Sequence, residues 1–202
     1  MISPIKVFNS WVLNGKDEGM EKNHSVAVNI MIDMLIRKSS KKFSFIDAGC
    51  GNGWVIRKMN LEALCSYSVG VDGSKNMINK AKKIDPTGNY VCSDLIKWKP
   101  EEKVDYVHSM EVLYYFENPS KLLKHIYDFW LKKNGTIVVG VDFYKENKIS
   151  HSWPASLNTT MTLLSKKEWL NCFKQSGFSN VEIFQVNPSN DFKGTLVIKG
   201  NS

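Results

Sequence analysis

From Phe43 onward, short apolar runs alternate with amphipathic stretches, and this alternation limits the folds open to the chain more than any other feature. "FSFID" (43–47), "YSVGVD" (67–72), "YVCS" (90–93), "VDYVHS" (104–109) and "TIVVGVDF" (136–143) have the length and composition of strands. Helical spacing fills the gaps between them. One helix is expected from about Trp54 to Leu64. A second follows Ser74, a capping residue, with Met77, Ile78, Ala81 and Ile84 on one face. A third opens at Asn118-Pro119, carries Leu122, Leu123, Ile126 and Trp130, and is expected to end at Asn134-Gly135. Ser165 and Glu168 have the spacing of a capping box and predict a helix that stops at Gly177. "VEIFQV" and "GTLVIKG" then predict two closing strands that could pair antiparallel at an edge. Strands alternating with helices in this way predict an α/β fold, a parallel sheet covered on both faces.

At 202 residues, 43% of them apolar, the chain suits a single domain, 1–202, with a real core. Residues 42–202 form its α/β part. Residues 1–41 have a different character and are expected to form an N-terminal helical cap or lid segment. "NHSVAVNIMIDMLIRKSS" reads as a helix with apolar residues nearly all round, expected to pack on the sheet. Before it, "NGKDEGMEK" reads as a glycine-broken polar loop with no core to join. Gly15 and Gly19 permit hinge motion there, so the stretch from about Phe8 to His24 is expected to act as a lid. No apolar run approaches the roughly 20 residues of a membrane span, and the first residues have no secretory pattern. Cys50, Cys65, Cys92 and Cys172 are scattered without a CxxC pair, which suits reduced cytoplasmic thiols and argues against zinc and disulfides. The net charge of +7 resides almost wholly in lysines on predicted helix faces and ends, with only Arg37 and Arg57 as arginines. Bidentate phosphate contacts favour arginine, so a nucleic-acid partner is disfavoured.

The chemistry is carried by "FSFIDAGCGNGWVIRKM" (43–59). A strand ends at Asp47, and Gly49, Gly51 and Gly53 follow at once. Glycines at the carboxyl end of a strand let a ligand approach the main chain. A dinucleotide fingerprint would need glycine at position 54, where Trp54 stands, and the Gly-Lys-Ser/Thr of a P-loop is absent. Asp72 closes the second strand, where a carboxylate can accept hydrogen bonds from both hydroxyls of a ribose. Asp94 follows the third in "CSDL".

Taken together, "DAGCGNG", "VGVDGS", "CSDL", "SMEVLYYFENP" and "LKKNGTIVVG" resemble, in order and spacing, the class I S-adenosylmethionine-dependent methyltransferases over roughly residues 40–200. The resemblance implies a Rossmann-like seven-stranded, mostly parallel sheet with an antiparallel C-terminal edge hairpin. It also implies S-adenosylmethionine as cofactor and S-adenosylhomocysteine as product. Carried over residue by residue, it places Asp47, Gly49, Cys50, Gly51 and Gly53 at the methionine and ribose side of the cofactor. Asp72 and Gly73 then lie at the ribose, Met77 or Leu95 beside the adenine, Asp94 at its amino group, and Met110 and Glu111 at the sulfonium.

Methyl transfer from a sulfonium is an in-line displacement that needs alignment and exclusion of water, with a base only where the acceptor must lose a proton. His24, Glu111 and His151 are candidates for that base, whereas His108, in a strand, reads as structural. Trp11, Met20, His24, Tyr114, Tyr115, Tyr144 and Trp153 are candidates for the acceptor pocket. Methyltransferases of nucleobase amines carry an Asn/Asp-Pro-Pro-aromatic tetrad where this chain has Ser109-Met110-Glu111-Val112, and no Pro-Cys nucleophile motif is present. A small-molecule acceptor is therefore expected. An RNA or protein acceptor, or a non-catalytic partner subunit that binds the cofactor, is the alternative.

Overall fold

The computed structural model describes residues 1–202. Seven strands form one sheet in the order β3-β2-β1-β4-β5-β7-β6. They are β1 (Phe43–Ala48), β2 (Cys65–Asp72), β3 (Tyr90–Cys92), β4 (Val104–Met110), β5 (Leu131–Val141), β6 (Ser179–Val186) and β7 (Thr195–Asn201). β1 to β5 run parallel. β7 inserts antiparallel between β5 and β6, which completes the expected hairpin edge. The strand order reverses between β1 and β4, so the loops leaving their carboxyl ends splay apart and open a crevice, where open α/β sheets bind ligands.

Both faces are covered. The helices are α1 (Pro4–Leu13), α2 (Gly19–Ile36), α3 (Trp54–Met59), α4 (Lys75–Ile84), α5 (Pro119–His125), α6 (Trp153–Ser156) and α7 (Lys166–Gln175). Alternating residues of β5 feed opposite cores, as strand geometry requires. Ile137, Val139 and Val141 join Leu122, Leu123, Trp169 and Phe173 from α5 and α7. Val138 joins Val28, Met31 and Ile32 of α2 and Ile56 of α3. Ser74 caps α4 by accepting the Met77 N–H, Asn118 caps α5, and Ser165 and Glu168 form the full capping box of α7.

Three expectations need correction. Helix α3 stops at Met59, well before Leu64, because β2 already begins at Cys65, paired with Phe43. The helix after Pro119 does not reach Asn134-Gly135. It widens into a π turn at Ile126–Trp130, and β5 starts at Leu131, opposite Val104. Residues 132–135 form a bulge in that strand, with Asn134 at φ +65°. Its anchor is Asp105, whose carboxylate accepts from the Ser44 N–H, the Ser44 hydroxyl and the Lys132 ammonium, each at 2.8 Å.

The third concerns the N-terminal segment. Residues 4–13, expected only as part of the helical cap or lid segment, form α1. The "NGKDEG" stretch, expected to join no core, forms a 3-10 turn (Lys16–Glu18) around a fully buried Asp17. The cause is polar. The Asp17 carboxylate pairs with the Lys80 ammonium of α4 at 2.8 Å and accepts the Asn52 side-chain amide at 3.0 Å. Helix α2 then starts at Gly19 and buries Ala27, Val28, Met31, Ile32 and Leu35.

Candidate active site

A cavity of about 820 Å³ fills the crevice at the strand-order reversal. The loops after β1, β2, β3, β4 and β5 form its floor and sides. α1, the first turn of α2 and α6 form its roof.

At one end is the glycine loop. A Cβ at Gly49 (φ +78°) would stand 2.2 Å from Val112 Cγ2. One at Gly51 (φ +54°) would meet the Met20 methyl at 3.0 Å. Glycine at these two positions permits both the left-handed turn and the close packing of loop, β4 exit and roof. Asp72 fixes the loop from below. Its Oδ2 accepts the Gly51 N–H at 2.9 Å and its Oδ1 the Ser74 N–H at 2.7 Å. Burial pushes this carboxyl above the usual range, opposed by those two donors. Each oxygen keeps a further lone pair for a ligand. Gly73, Met77, Asp94 and Leu95 continue the wall, with Asp94 exposed at the rim and Leu95 buried. Cys50 lies within the loop, and burial raises its thiol well above the ordinary value.

The other end combines carboxylates, histidines and aromatic rings. Glu111, just past β4, has φ +59°, an uncommon conformation for a residue with a side chain. Its Oε1 accepts the Asp142 N–H at 2.5 Å and its Oε2 accepts the Tyr114 hydroxyl at 2.8 Å. Burial and then the nearby Asp142 push Glu111 well above the ordinary carboxylate range. Asp142 follows β5. Burial raises its pKa, opposed by the Thr195 hydroxyl and by His24, whose Nδ1 lies 3.8 Å from Asp142 Oδ2. Burial outweighs Asp142 at His24 and lowers its pKa, so the ring is neutral at neutral pH. His108 Nδ1 bonds Asp47 Oδ1 at 2.7 Å across β1 and β4. Buried His108 Nε2 and Asp142 Oδ1 have no hydrogen-bond partner.

The roof is fastened at several points. Asn9 Oδ1 accepts the Ser74 hydroxyl at 2.8 Å and the Asn76 N–H at 3.1 Å, and Asn76 donates back to the Asn9 carbonyl. The Ile2 N–H donates to the Asn158 carbonyl and the Thr159 hydroxyl to the Ile2 carbonyl, each at 2.8 Å. Thus the two segments outside the regular core are joined to each other over the cavity. Phe8 meets Trp11 and Tyr115 edge-on, with centroids 5.1 and 5.3 Å apart.

Most residues expected from sequence lie on this one wall. Asp47, Gly49, Cys50, Gly51, Asp72, Gly73, Met77, Asp94, Leu95, Met110 and Glu111 do, and so do Trp11, Met20, His24, Tyr114, Tyr115 and Trp153. Three do not. Gly53 sits behind the loop, where a Cβ would strike the Tyr90 ring at 2.4 Å, so its glycine serves packing. Tyr144 is fully buried, with its hydroxyl on the Gly194 carbonyl at 2.9 Å. His151 is exposed and turned to the Tyr144 carbonyl, away from the cavity. Sequence reasoning named Phe8 only as the start of the lid, missed Asp142, and gave His108 no place on the wall. Asp142 carried a usable signal: like Asp47 and Asp72, it is an acid at the carboxyl end of a parallel strand.

The fold and the glycine-loop crevice define a Rossmann-like nucleotide-binding domain of the methyltransferase type. Residues 24–183 match the sequence profile of the Methyltransferase domain family, and the chain belongs to the class I S-adenosylmethionine-dependent methyltransferases. Among curated proteins it is similar to trans-aconitate 2-methyltransferase of Klebsiella pneumoniae, 23% identical over 62% of this chain and 46% of the relative. The Enterobacter enzyme of the same name is 29% identical over 46% of this chain and 37% of the relative. The chain thus aligns with less than half the length of these relatives. Among solved structures it is similar to a chain of the complex between the Haloferax volcanii Trm112 methyltransferase activator and a methyltransferase, with TM-score 0.83, 25% identity and 96% of each chain covered. A SAM-dependent methyltransferase from Thermotoga maritima shares the fold at TM-score 0.74 and 17% identity, over 97% of this chain and 98% of that one. No helix is long and apolar enough to cross a membrane.

Proposed function

We propose that this protein transfers a methyl group from S-adenosylmethionine to a small molecule enclosed beside it. The observation that carries this reading is the single roofed cavity, with a glycine loop and ribose-type carboxylate at one end and aromatic rings with His24, Glu111 and Asp142 at the other. Its volume, about 820 Å³, lies high in the range of roughly 300–1,000 Å³ for ligand pockets and leaves space beyond one ligand. The residues suit the cofactor. Gly49 to Gly51 would take the methionine part, Asp72 the ribose, Met77 and Leu95 the adenine faces, and Asp94 the adenine amino group. When bound, the cofactor supplies an electrophilic methyl group on a sulfonium.

The chain's own part is alignment and dryness. The α1 roof excludes water, and the aromatic rings orient the acceptor. His24, neutral because it is buried, is positioned to take a proton from the acceptor and, being the more exposed of the His24–Asp142 pair, to release it to water. Glu111 positions Asp142 and Tyr114 through its two hydrogen bonds. Trans-aconitate itself is not carried over from the relatives. The cavity wall holds five carboxylates (Asp47, Asp72, Asp94, Glu111 and Asp142) against one ammonium, Lys16, which would repel a polycarboxylate.

A protein or RNA acceptor reached with an activator subunit is the second reading, favoured by the likeness to the Trm112-complexed methyltransferase. Incubation with methyl-labelled cofactor and separate metabolite, RNA and protein fractions decides between them. Label in the metabolite fraction alone is expected. Label confined to macromolecules would sink the small-molecule reading.

A further inference from the structure

Resting on that reading, we propose that the acceptor is an amine, methylated on nitrogen, whose nitrogen sits against Asp142 and His24. The residues that would hold the cofactor use Asp47, Asp72 and Asp94. Two carboxylates remain at the opposite end, and they are not equivalent. Glu111 already accepts one hydrogen bond at each oxygen from within the protein, from the Asp142 N–H and the Tyr114 hydroxyl. Asp142, only 7% exposed, keeps Oδ1 without a partner. An unpaired buried carboxylate oxygen is costly, and turning the Asp142 carboxylate toward the cavity that it lines would bring this oxygen to a ligand N–H donor. The neighbouring ring, His24, lies 3.8 Å from the other oxygen and lines the same cavity.

The surroundings select the donor. No arginine lines the cavity, and its one lysine, Lys16, belongs to the exposed roof turn, so an acceptor carboxylate or phosphate has no bidentate partner. Phe8, Trp11 and Tyr115, packed edge to face, line the cavity, and aromatic ring faces attract a ligand carrying positive charge. An amine suits both features, as a cation while binding and as a neutral nucleophile after losing a proton to His24. The step balances. The nitrogen lone pair forms the new N–CH₃ bond, the S–CH₃ bond breaks, and its electron pair returns to sulfur, turning the sulfonium into a thioether. The surplus proton on nitrogen leaves through His24 to water.

Binding to S-adenosylhomocysteine-saturated protein tests this without turnover. By calorimetry, 2-phenylethylamine, tyramine and ethanolamine are compared with the matched carboxylate 3-phenylpropanoate and alcohol 2-phenylethanol. At least one amine is expected to bind about tenfold or more tighter than its carboxylate and alcohol counterparts. Asp142→Asn should erase most of that preference while S-adenosylhomocysteine affinity stays within about twofold, which also reports that the variant is folded. His24→Gln should leave amine binding within about threefold but lower the rate of any methylated amine at neutral pH. A carboxylate that binds as well as the amines, an amine preference untouched by Asp142→Asn, or no amine binding to the loaded protein would each overturn the proposal. Failure of S-adenosylhomocysteine to bind at all would instead overturn the cofactor reading on which it rests.

Discussion

Removing one buried carboxylate, Asp17, should loosen the roof while the sheet stays folded. In Asp17→Ala the Lys80 ammonium loses its 2.8 Å partner and Asn52 loses its 3.0 Å acceptor. Breaking a fully buried ion pair costs about 3–5 kcal/mol, and orphaning a buried amide about 1–3. Both figures need discounting here. Lys80 is 20% exposed and can turn to water, and Asn52 keeps the residue 17 carbonyl at 3.3 Å. A net loss of about 2–4 kcal/mol follows, or roughly thirty- to several-hundredfold in the closed-to-open ratio of the 14–24 segment. The assay is backbone hydrogen exchange. Amides in 14–24 should exchange faster by about that factor, whereas β1, β4 and β5 keep their protection, because no partner of Asp17 lies on those strands. Asp17→Asn, which keeps an acceptor for Asn52, should lie between the two. Cofactor affinity should fall in parallel, since Asn52 belongs to the glycine loop. Unchanged exchange in 14–24 together with unchanged cofactor affinity would refute the view that Asp17 pins the roof.

Three further outcomes are expected. Asp72→Ala should weaken S-adenosylhomocysteine binding by about 1.5–3 kcal/mol, about ten- to 150-fold by calorimetry, since it removes charged hydrogen bonds to the ribose and the anchor of Gly51. The pH dependence of stability follows from the signs at the cavity. Asp72, Glu111 and Asp142 have raised carboxyl pKa values, so their contribution is present below the unfolded value and lost as pH rises through the folded one. His24, lowered, acts oppositely, losing stability as pH falls below its ordinary value near 6.5. Relative to Glu111→Gln, the ligand-free wild-type protein should therefore lose melting temperature as pH rises above the ordinary Glu value of 4.5; a wild-type advantage that grows with pH contradicts the assignment. RNA and duplex DNA should bind only weakly at physiological salt, and sub-micromolar affinity that survives it would overturn the reading of the lysine surface.

The sequence was most legible where one local rule and the tertiary structure agree. The Ser74 and Asn118 caps and the Ser165–Glu168 box act within a few residues of themselves, and the glycines and acids at the carboxyl ends of the first strands are marked by position alone. The misses share a different cause. Asp17 looked like loop polarity because its partners, Lys80 and Asn52, lie 63 and 35 residues away. The bulge at 132–135 follows from Asp105 on the neighbouring strand, which no pattern within the segment encodes. Tyr144 and His151 stood in a segment with little periodicity, where aromatic character suggested a pocket. The chain instead turns there to bury Tyr144 against Gly194 and Gln185, leaving His151 outside. His108 shows the reverse. It is structural through Asp47, as a strand histidine should be, yet the residue also lines the cavity.

The central claim, that the glycine-loop crevice is an S-adenosylmethionine site, is tested most directly by titrating S-adenosylhomocysteine into the unmodified protein by calorimetry, with NAD as the competing nucleotide. One saturable site per chain is predicted, displaced by S-adenosylmethionine and unaffected by NAD, with Gly51 and Asp72 amides protected on binding. Binding of NAD in place of S-adenosylhomocysteine, or no saturable binding of either sulfur ligand, would contradict it.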